Sequence, residues 1–201
     1  MSAPSTPSGD QPDLTVTPTN LLDWISTHPD AFTPPVANRV LFQDDDFIVM
    51  LVRGPNRRND FHVEPHPEVF FQLRGTIQVD TRDEDGNVVS NTVGEGEMFV
   101  VPACVPHSPL RPADTWGLVI ERPRRVSELD VITWFCPVCG NEVNRSELQV
   151  TDIDTQLHPI LDGFTRDEEL RTCTTCGTVH PVATDFILPA GTDPLDEDDR
   201  P

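Results

Sequence analysis

No lysine and no tyrosine occur among the 201 residues. All 14 positive charges are arginine, set against 34 carboxylates, for a formal net charge of -20. A chain so short of positive charge has no basic stripe with which to track phosphates, so a nucleic-acid partner is excluded. Long apolar runs are also missing. No window of about 18 uninterrupted apolar residues exists, which excludes a membrane-spanning helix. The stretch from Met1 to Thr19 lacks both a basic start and an apolar segment. No secretory signal is therefore visible, and a cytoplasmic location is expected. The 21 prolines argue against long helices and coiled coils. The acidic excess reads as a solvated surface that keeps the chain soluble. Adaptation to a salty cytoplasm would also suit it, and a codon bias towards arginine explains the missing lysine equally well.

What is present falls into four parts. Residues 1–18 are rich in Ser, Thr, Pro and Asp and read as a disordered arm. Thr19 and Asn20 are N-cap residues before Leu21, Leu22, Trp24 and Ile25, so a short helix is expected there, ended by Pro34-Pro35. Residues 19–126 read as strands and turns. Compact apolar runs at Phe47–Val52, Val69–Leu73 and Met98–Val101 end in turn residues, Thr76–Asp80 alternates, and Asp85-Gly86-Asn87 is a hairpin turn. Trp116–Ile120 reads as the last strong strand. Many short strands at close spacing give a mainly β class: a small barrel or jelly roll that binds ligands in its mouth. Residues 127–184 form a C-terminal region with two Cys pairs around a helical stretch near Asp152 to Phe164. Residues 185–201 read as an acidic tail.

The chemistry-bearing residues cluster in two blocks. The first runs from His62 through Glu64 and Glu68 to Gly75. The second runs from Gly96 through Pro102 and His107 to Arg111. These blocks resemble the paired motifs of the cupin superfamily. The first His, the Glu and the last His of those motifs fall on His62, Glu68 and His107. Glu64 stands where a second His would be, Cys104 replaces a Gly, and Arg111 takes the place of an Asn. Two imidazoles and one carboxylate with open coordination positions suit non-haem Fe(II) that must bind substrate and dioxygen together. The other histidines, His28, His66, His158 and His180, read as structural or surface residues.

The stretches GPNRRNDFHVEPHPEVFFQLRG, GEMFVVPACVPHSPLRP and GLVIERPR are similar to the 3-hydroxyanthranilate 3,4-dioxygenase family, from about Pro34 to Pro181. The resemblance implies an Fe(II)-dependent enzyme whose partners are 3-hydroxyanthranilate and O2. It would cleave the ring to 2-amino-3-carboxymuconate semialdehyde, on the route to quinolinate and NAD. It also implies a homodimer. The iron ligands it implies are His62, Glu68 and His107. Arg58 would stand at the O2 site. Arg111, Glu121 and Glu68, with Asn38 in PPVANRV, would meet the substrate, and Arg111 would pair with its carboxylate. Phe61 stands where the family commonly has Tyr, which removes a hydroxyl and keeps a ring for packing.

Cys136-Pro-Val-Cys139-Gly140 and Cys173-Thr-Thr-Cys176-Gly177 are two CxxCG knuckles. Four thiolates make a tetrahedral site for Fe or Zn, and the glycines permit the tight turns. Bacterial-type members of the family carry such a site and animal-type members lack it, which makes its role structural. Cys104, the odd cysteine, is expected to be a small buried apolar residue. Other readings stay open: another cupin dioxygenase acting on an aminophenol or catechol acid, a cupin that stores or senses a small ligand, and a metal-knuckle interaction protein.

Overall fold

The computed structural model describes residues 18–28, 32 and 38–191. The expected arm, the Pro34-Pro35 stop and the end of the acidic tail lie outside them. Eleven strands are described: β1 (Asn38–Gln43), β2 (Ile48–Arg53), β3 (Phe61–Val63), β4 (Glu68–Arg74), β5 (Ile77–Arg82), β6 (Val88–Val93), β7 (Met98–Val101), β8 (His107–Leu110), β9 (Trp116–Glu121), β10 (Asp130–Phe135) and β11 (Glu142–Leu148). Three helices accompany them: α1 (Leu21–Thr27), α2 (Ile153–Arg166) and α3 (Glu168–Arg171). No described helix is long and apolar enough to cross a membrane.

The strands form two antiparallel sheets, ordered β1-β2-β9-β4-β7 and β11-β10-β3-β8-β5-β6. The fold is mainly β, a cupin barrel with a cysteine cluster near its C-terminus. Alternation builds the interior, because side chains two residues apart share a face. In β4, Glu68, Phe70 and Gln72 point inward and are buried, while Val69, Phe71 and Leu73 lie on the other face. The barrel core gathers Met50, Val52, Phe70, Ile77, Val79, Val93, Val101 and Val119. Outside the first sheet, Leu21, Trp24 and Ile25 of α1 pack on Phe32, Leu41, Leu51 and Trp116. Asn20 caps that helix, its side-chain oxygen accepting from Leu22 and Asp23 N–H.

Three points bear on the sequence expectations: the first and third change one each, and the second places the expected helix. The strands do not end at Ile120. β10 pairs with β3 in the barrel's own sheet, so the chain past residue 126 continues that sheet. The run Asp130–Phe135 is that strand, buried on both faces. Second, α2 lies over the end of the sheet, with Leu157 and Phe164 packed on Ile132 and Trp134. Third, Cys104 is exposed rather than buried. It sits in a tight turn at φ 62°, its N–H donating to the Glu64 carbonyl at 2.7 Å. The left-handed backbone explains why cupin motifs carry glycine at this position.

Candidate metal centre

The two imidazoles are cross-strand partners. His62 on β3 lies directly opposite His107 on β8, and Glu68 enters from the first residue of β4 in the facing sheet. All three are at most 4 % exposed, and one ligand atom from each falls within 4.8 Å of the others. His107 Nε2 contacts Glu68 Oε2 directly, and His62 Nδ1 lies 3.9 Å from that oxygen.

The remaining ring nitrogens have carboxylate or carbonyl partners, which can only accept. His62 Nε2 is 2.6 Å from Asp130 Oδ2, and His107 Nδ1 is 3.0 Å from the Val105 carbonyl. His62 therefore carries its proton on Nε2 and turns Nδ1 towards Glu68, while any proton on His107 Nε2, favoured by the adjacent carboxylate, must leave before a metal binds. With that proton gone, the arrangement is the one a metal requires of two neutral histidines. The donor set thus fits a divalent ion with open positions.

Burial opposes charge on Glu68, but His107 and His62 beside it hold the carboxyl below its usual range. Burial likewise opposes charge on His107, and the Glu68 carboxylate outweighs it, raising the imidazole above its usual value of 6.5. Metal binding must displace that proton. Affinity at the barrel is therefore expected to fall about tenfold per pH unit once the pH drops below the raised value. Titrating Fe(II) anaerobically between about pH 8 and about pH 6 measures this slope; a flat profile would remove His107 from the ligand set.

A cavity of about 480 Å³ opens above the triad. Its wall includes Asn38, Arg58 and Arg111 together with His62, Glu68 and His107. Arg58 donates two bonds to fully buried Asp60, at 3.0 and 2.5 Å. Arg111 is almost wholly buried. Burial pulls its guanidinium down to about 10, with Arg58 adding to the effect, so it stays charged at neutral pH. Asn56 holds the backbone that carries it: its side-chain oxygen accepts from Arg111 N–H at 2.8 Å, and its amide donates to the Pro109 carbonyl at 2.7 Å. Gly117 opposite is obligatory. A Cβ there would lie 2.6 Å from Gln72 Oε1 and 3.1 Å from Arg111 Nη1.

Glu121 stands apart from this group. It is buried on β9 next to Glu68 and does not line the cavity; its bond goes to Arg124. Burial, then the Glu68 charge, pushes its carboxyl up to about 8. Glu64, also buried, is pushed up to about 11, first by burial and then by Glu68. Glu64, Glu68 and Glu121 come close enough together to suggest a second cation site. The Arg124 guanidinium already fills that role, 3.3 Å from Glu64 and bonded to Glu121.

Sequence reasoning missed Asp130 and Arg124. Arg124 is the last residue of GLVIERPR, but nothing in that string tells it from Arg122 or Arg125. Asp130 opens a strand that the sequence reading did not place in the barrel. His158, read as structural or surface, stands on α2 in the cavity wall, and its Nε2 is buried without a hydrogen-bond partner. His66, His28 and His180 do have structural partners: Glu128 at 2.9 Å, a stack on Trp24, and an edge contact with Phe164.

The four cysteines converge, their sulfurs all within 4.8 Å of one another. Cys136 and Cys176 sulfurs are 3.5 Å apart, and Cys139 and Cys173 sulfurs 3.6 Å. These separations far exceed a disulfide bond of about 2.05 Å. They approach the roughly 3.8 Å edge of a tetrahedron with metal–sulfur bonds of about 2.3 Å. Gly140 and Gly177, both at positive φ, return N–H bonds to the Cys136 and Cys173 carbonyls at 2.9 Å. Backbone amides facing the sulfurs lower Cys136 and Cys173 towards thiolate.

A two-sheet barrel with two cross-strand histidines and a glutamate at its mouth defines a cupin metalloprotein. The family model described as 3-hydroxyanthranilic acid dioxygenase matches residues 14–165, and the chain belongs to that family. Among curated relatives, a 3-hydroxyanthranilate 3,4-dioxygenase of Bacillus cereus is 45% identical over 162 residues, 81% of this chain and 90% of its own length. One of Xanthomonas campestris pv. campestris is 43% identical over 169 residues, 84% of this chain and 95% of its own. Similar solved structures include a cupin-2 domain protein of Shewanella frigidimarina (27% identity, TM-score 0.42, 53% of this chain and 94% of that one). A cupin superfamily protein of Desulfitobacterium hafniense also matches (17% identity, TM-score 0.42, 57% and 96%).

Proposed function

We propose that this chain is a ring-cleaving dioxygenase that uses Fe(II) and O2 to open 3-hydroxyanthranilate to 2-amino-3-carboxymuconate semialdehyde. The observation that carries the site assignment is the buried His62–Glu68–His107 set beneath a cavity walled by arginines. Family membership and relatives of that name support the reaction and substrate. In this reading His62, Glu68 and His107 hold Fe(II). When bound, the iron supplies a route for electrons from the substrate ring to dioxygen.

The protein's own part is binding and orientation. Arg53, Arg57, Arg58 and Arg111 all reach the cavity wall of a chain whose net charge is -20. Arg57 and Arg58 are already paired with Asp185 and Asp60, so the positive charge offered to an anionic substrate centres on Arg111. Arg111, charged and braced by Asn56, pairs with the substrate carboxylate and fixes the ring over the triad. Arg58, anchored on Asp60, faces the same space and stabilises negative charge developing on dioxygen. Asn38 adds a polar contact from β1. Glu121, lying behind Glu68, acts on the substrate through that ligand.

The four cysteines hold Fe or Zn. Residues 19–126 supply the catalytic ligands, and 127–184 cover and fasten the cavity. Thiols at metal-ligand spacing accord with a reducing, cytoplasmic compartment, and the family resemblance supports a homodimer.

The test is anaerobic loading with Fe(II), then mixing with 3-hydroxyanthranilate and air. One O2 consumed per substrate, with the semialdehyde's absorbance rising in step, is the expected result. Substrate binding without oxygen uptake would favour a sensor over an enzyme.

A further inference from the structure

The charge at the back of the metal centre is organised by one residue. Arg124 lies three residues beyond β9, and its side chain is 1% exposed. It does not line the cavity and touches none of the three proposed ligands. Its Nε and Nη2 donate to the two oxygens of Asp130 at 2.8 and 2.7 Å. Its Nη1 donates to Glu121 and, at 3.0 Å, to the Arg122 carbonyl. Glu64 Oε2 lies 3.3 Å from Nη2. Asp130 in turn meets His62 Nε2 at 2.6 Å, and carboxylate oxygens of Glu64 and Glu121 lie within 4.8 Å of Glu68. Two branches therefore leave one guanidinium: one ends on His62, and the other on the carboxylates packed beside Glu68.

We propose that Arg124 is a positioning residue of the catalytic metal centre. Through Asp130 it locks the His62 ring with Nδ1 towards the metal, and by pairing with Glu121 and Glu64 it holds away from Glu68 the two carboxylates that crowd it. The inference rests on the reading of His62, Glu68 and His107 as the ligand set. A planar fork is required, because it must serve Asp130 on one edge and Glu121 on another. A lysine offers one point of charge and cannot hold both. Outer partners of this kind typically affect metal affinity by about 10- to 100-fold.

The experiment compares the full-length chain with Arg124→Lys and with Asp130→Asn, both loaded anaerobically. Barrel affinity is read by Fe(II) competition against a chelator. Geometry is read from the visible spectrum of the Co(II)-loaded barrel, and the Co(II)–thiolate bands of the cysteine site report on the rest of the fold. In both variants the barrel is expected to bind Fe(II) about 10- to 100-fold more weakly, with a changed Co(II) spectrum. The thiolate bands should be unaltered. Wild-type affinity and spectrum in either folded variant would overturn the proposal. So would loss of the thiolate bands together with barrel binding, because the residue would then serve the fold as a whole. Failure of the ligand reading looks different: the unsubstituted barrel would take up no Fe(II), or His107→Ala would keep it.

Discussion

Replacing His107 by alanine is expected to empty the barrel of its metal and to abolish oxygen uptake, while the cysteine site stays loaded. The reason is the small size of the ligand set. Glu64 stands in place of a third imidazole and is tied to Arg124, so it offers no substitute. With His107 gone, one imidazole and one carboxylate remain, and the Glu68 carboxylate loses the partner that holds it ionised. Turnover should fall on the order of a thousandfold or more, a barrier rise of at least about 4 kcal/mol. Metal analysis supplies the check: two ions per chain in the parent, one in the variant. A His107→Ala protein that keeps two ions and its oxygen uptake would remove the triad from the mechanism.

Much of this site was legible because cupin chemistry is written in short strings. His62 and Glu68 bracket one turn, and His107 and Arg111 are one β-strand apart. Local spacing therefore carried both halves, and the antiparallel pairing of β3 with β8 brought them face to face. The residues behind the site were not legible. Asp130 reaches His62 across 68 positions, and only the strand order reveals the approach. Arg124 is one of three arginines in four residues, and burial alone singles it out. Glu121 shows the converse: the motif reading gave it a substrate contact, and the structure sets it behind Glu68. The pairing of β10 with β3 was not legible for a related reason. Strand β10 is buried on both faces, so it shows no alternation to mark it as part of a sheet.

The second large effect is expected at the other metal. Cys176→Ser should lose the cysteine-bound ion yet leave Fe(II) in the barrel, and its main kinetic signature should be a raised KM rather than a lowered kcat. The argument is topological. One knuckle follows β10 and the other follows α3, so α2 lies between two points fixed by the same ion. Five residues of α2 (Leu157, His158, Leu161, Asp162 and Thr165) form cavity wall, as do Ala183 and Asp185 beyond the second knuckle. Packing joins these parts. Phe164 of α2 stacks on Trp134 at 3.9 Å and meets His180 edge-on. Trp134 donates to Asn59 at 3.1 Å, and Asn59 donates to the Pro181 carbonyl at 2.9 Å. Asn59 is next to Arg58, so these bonds join the cover to the cavity wall. Without the ion, α2 keeps its apolar contacts but loses the anchors at both ends, and local opening becomes easier. The unfolding midpoint should drop by roughly 5–15 °C, KM should rise roughly tenfold, and kcat should stay within about threefold. Hydrogen exchange across residues 153–166 should quicken. If KM is unchanged in a variant shown to have lost that ion, the apolar contacts of Leu157 and Phe164 hold the cover on their own. If kcat collapses while the barrel remains iron-loaded, the cysteine site takes part in turnover itself.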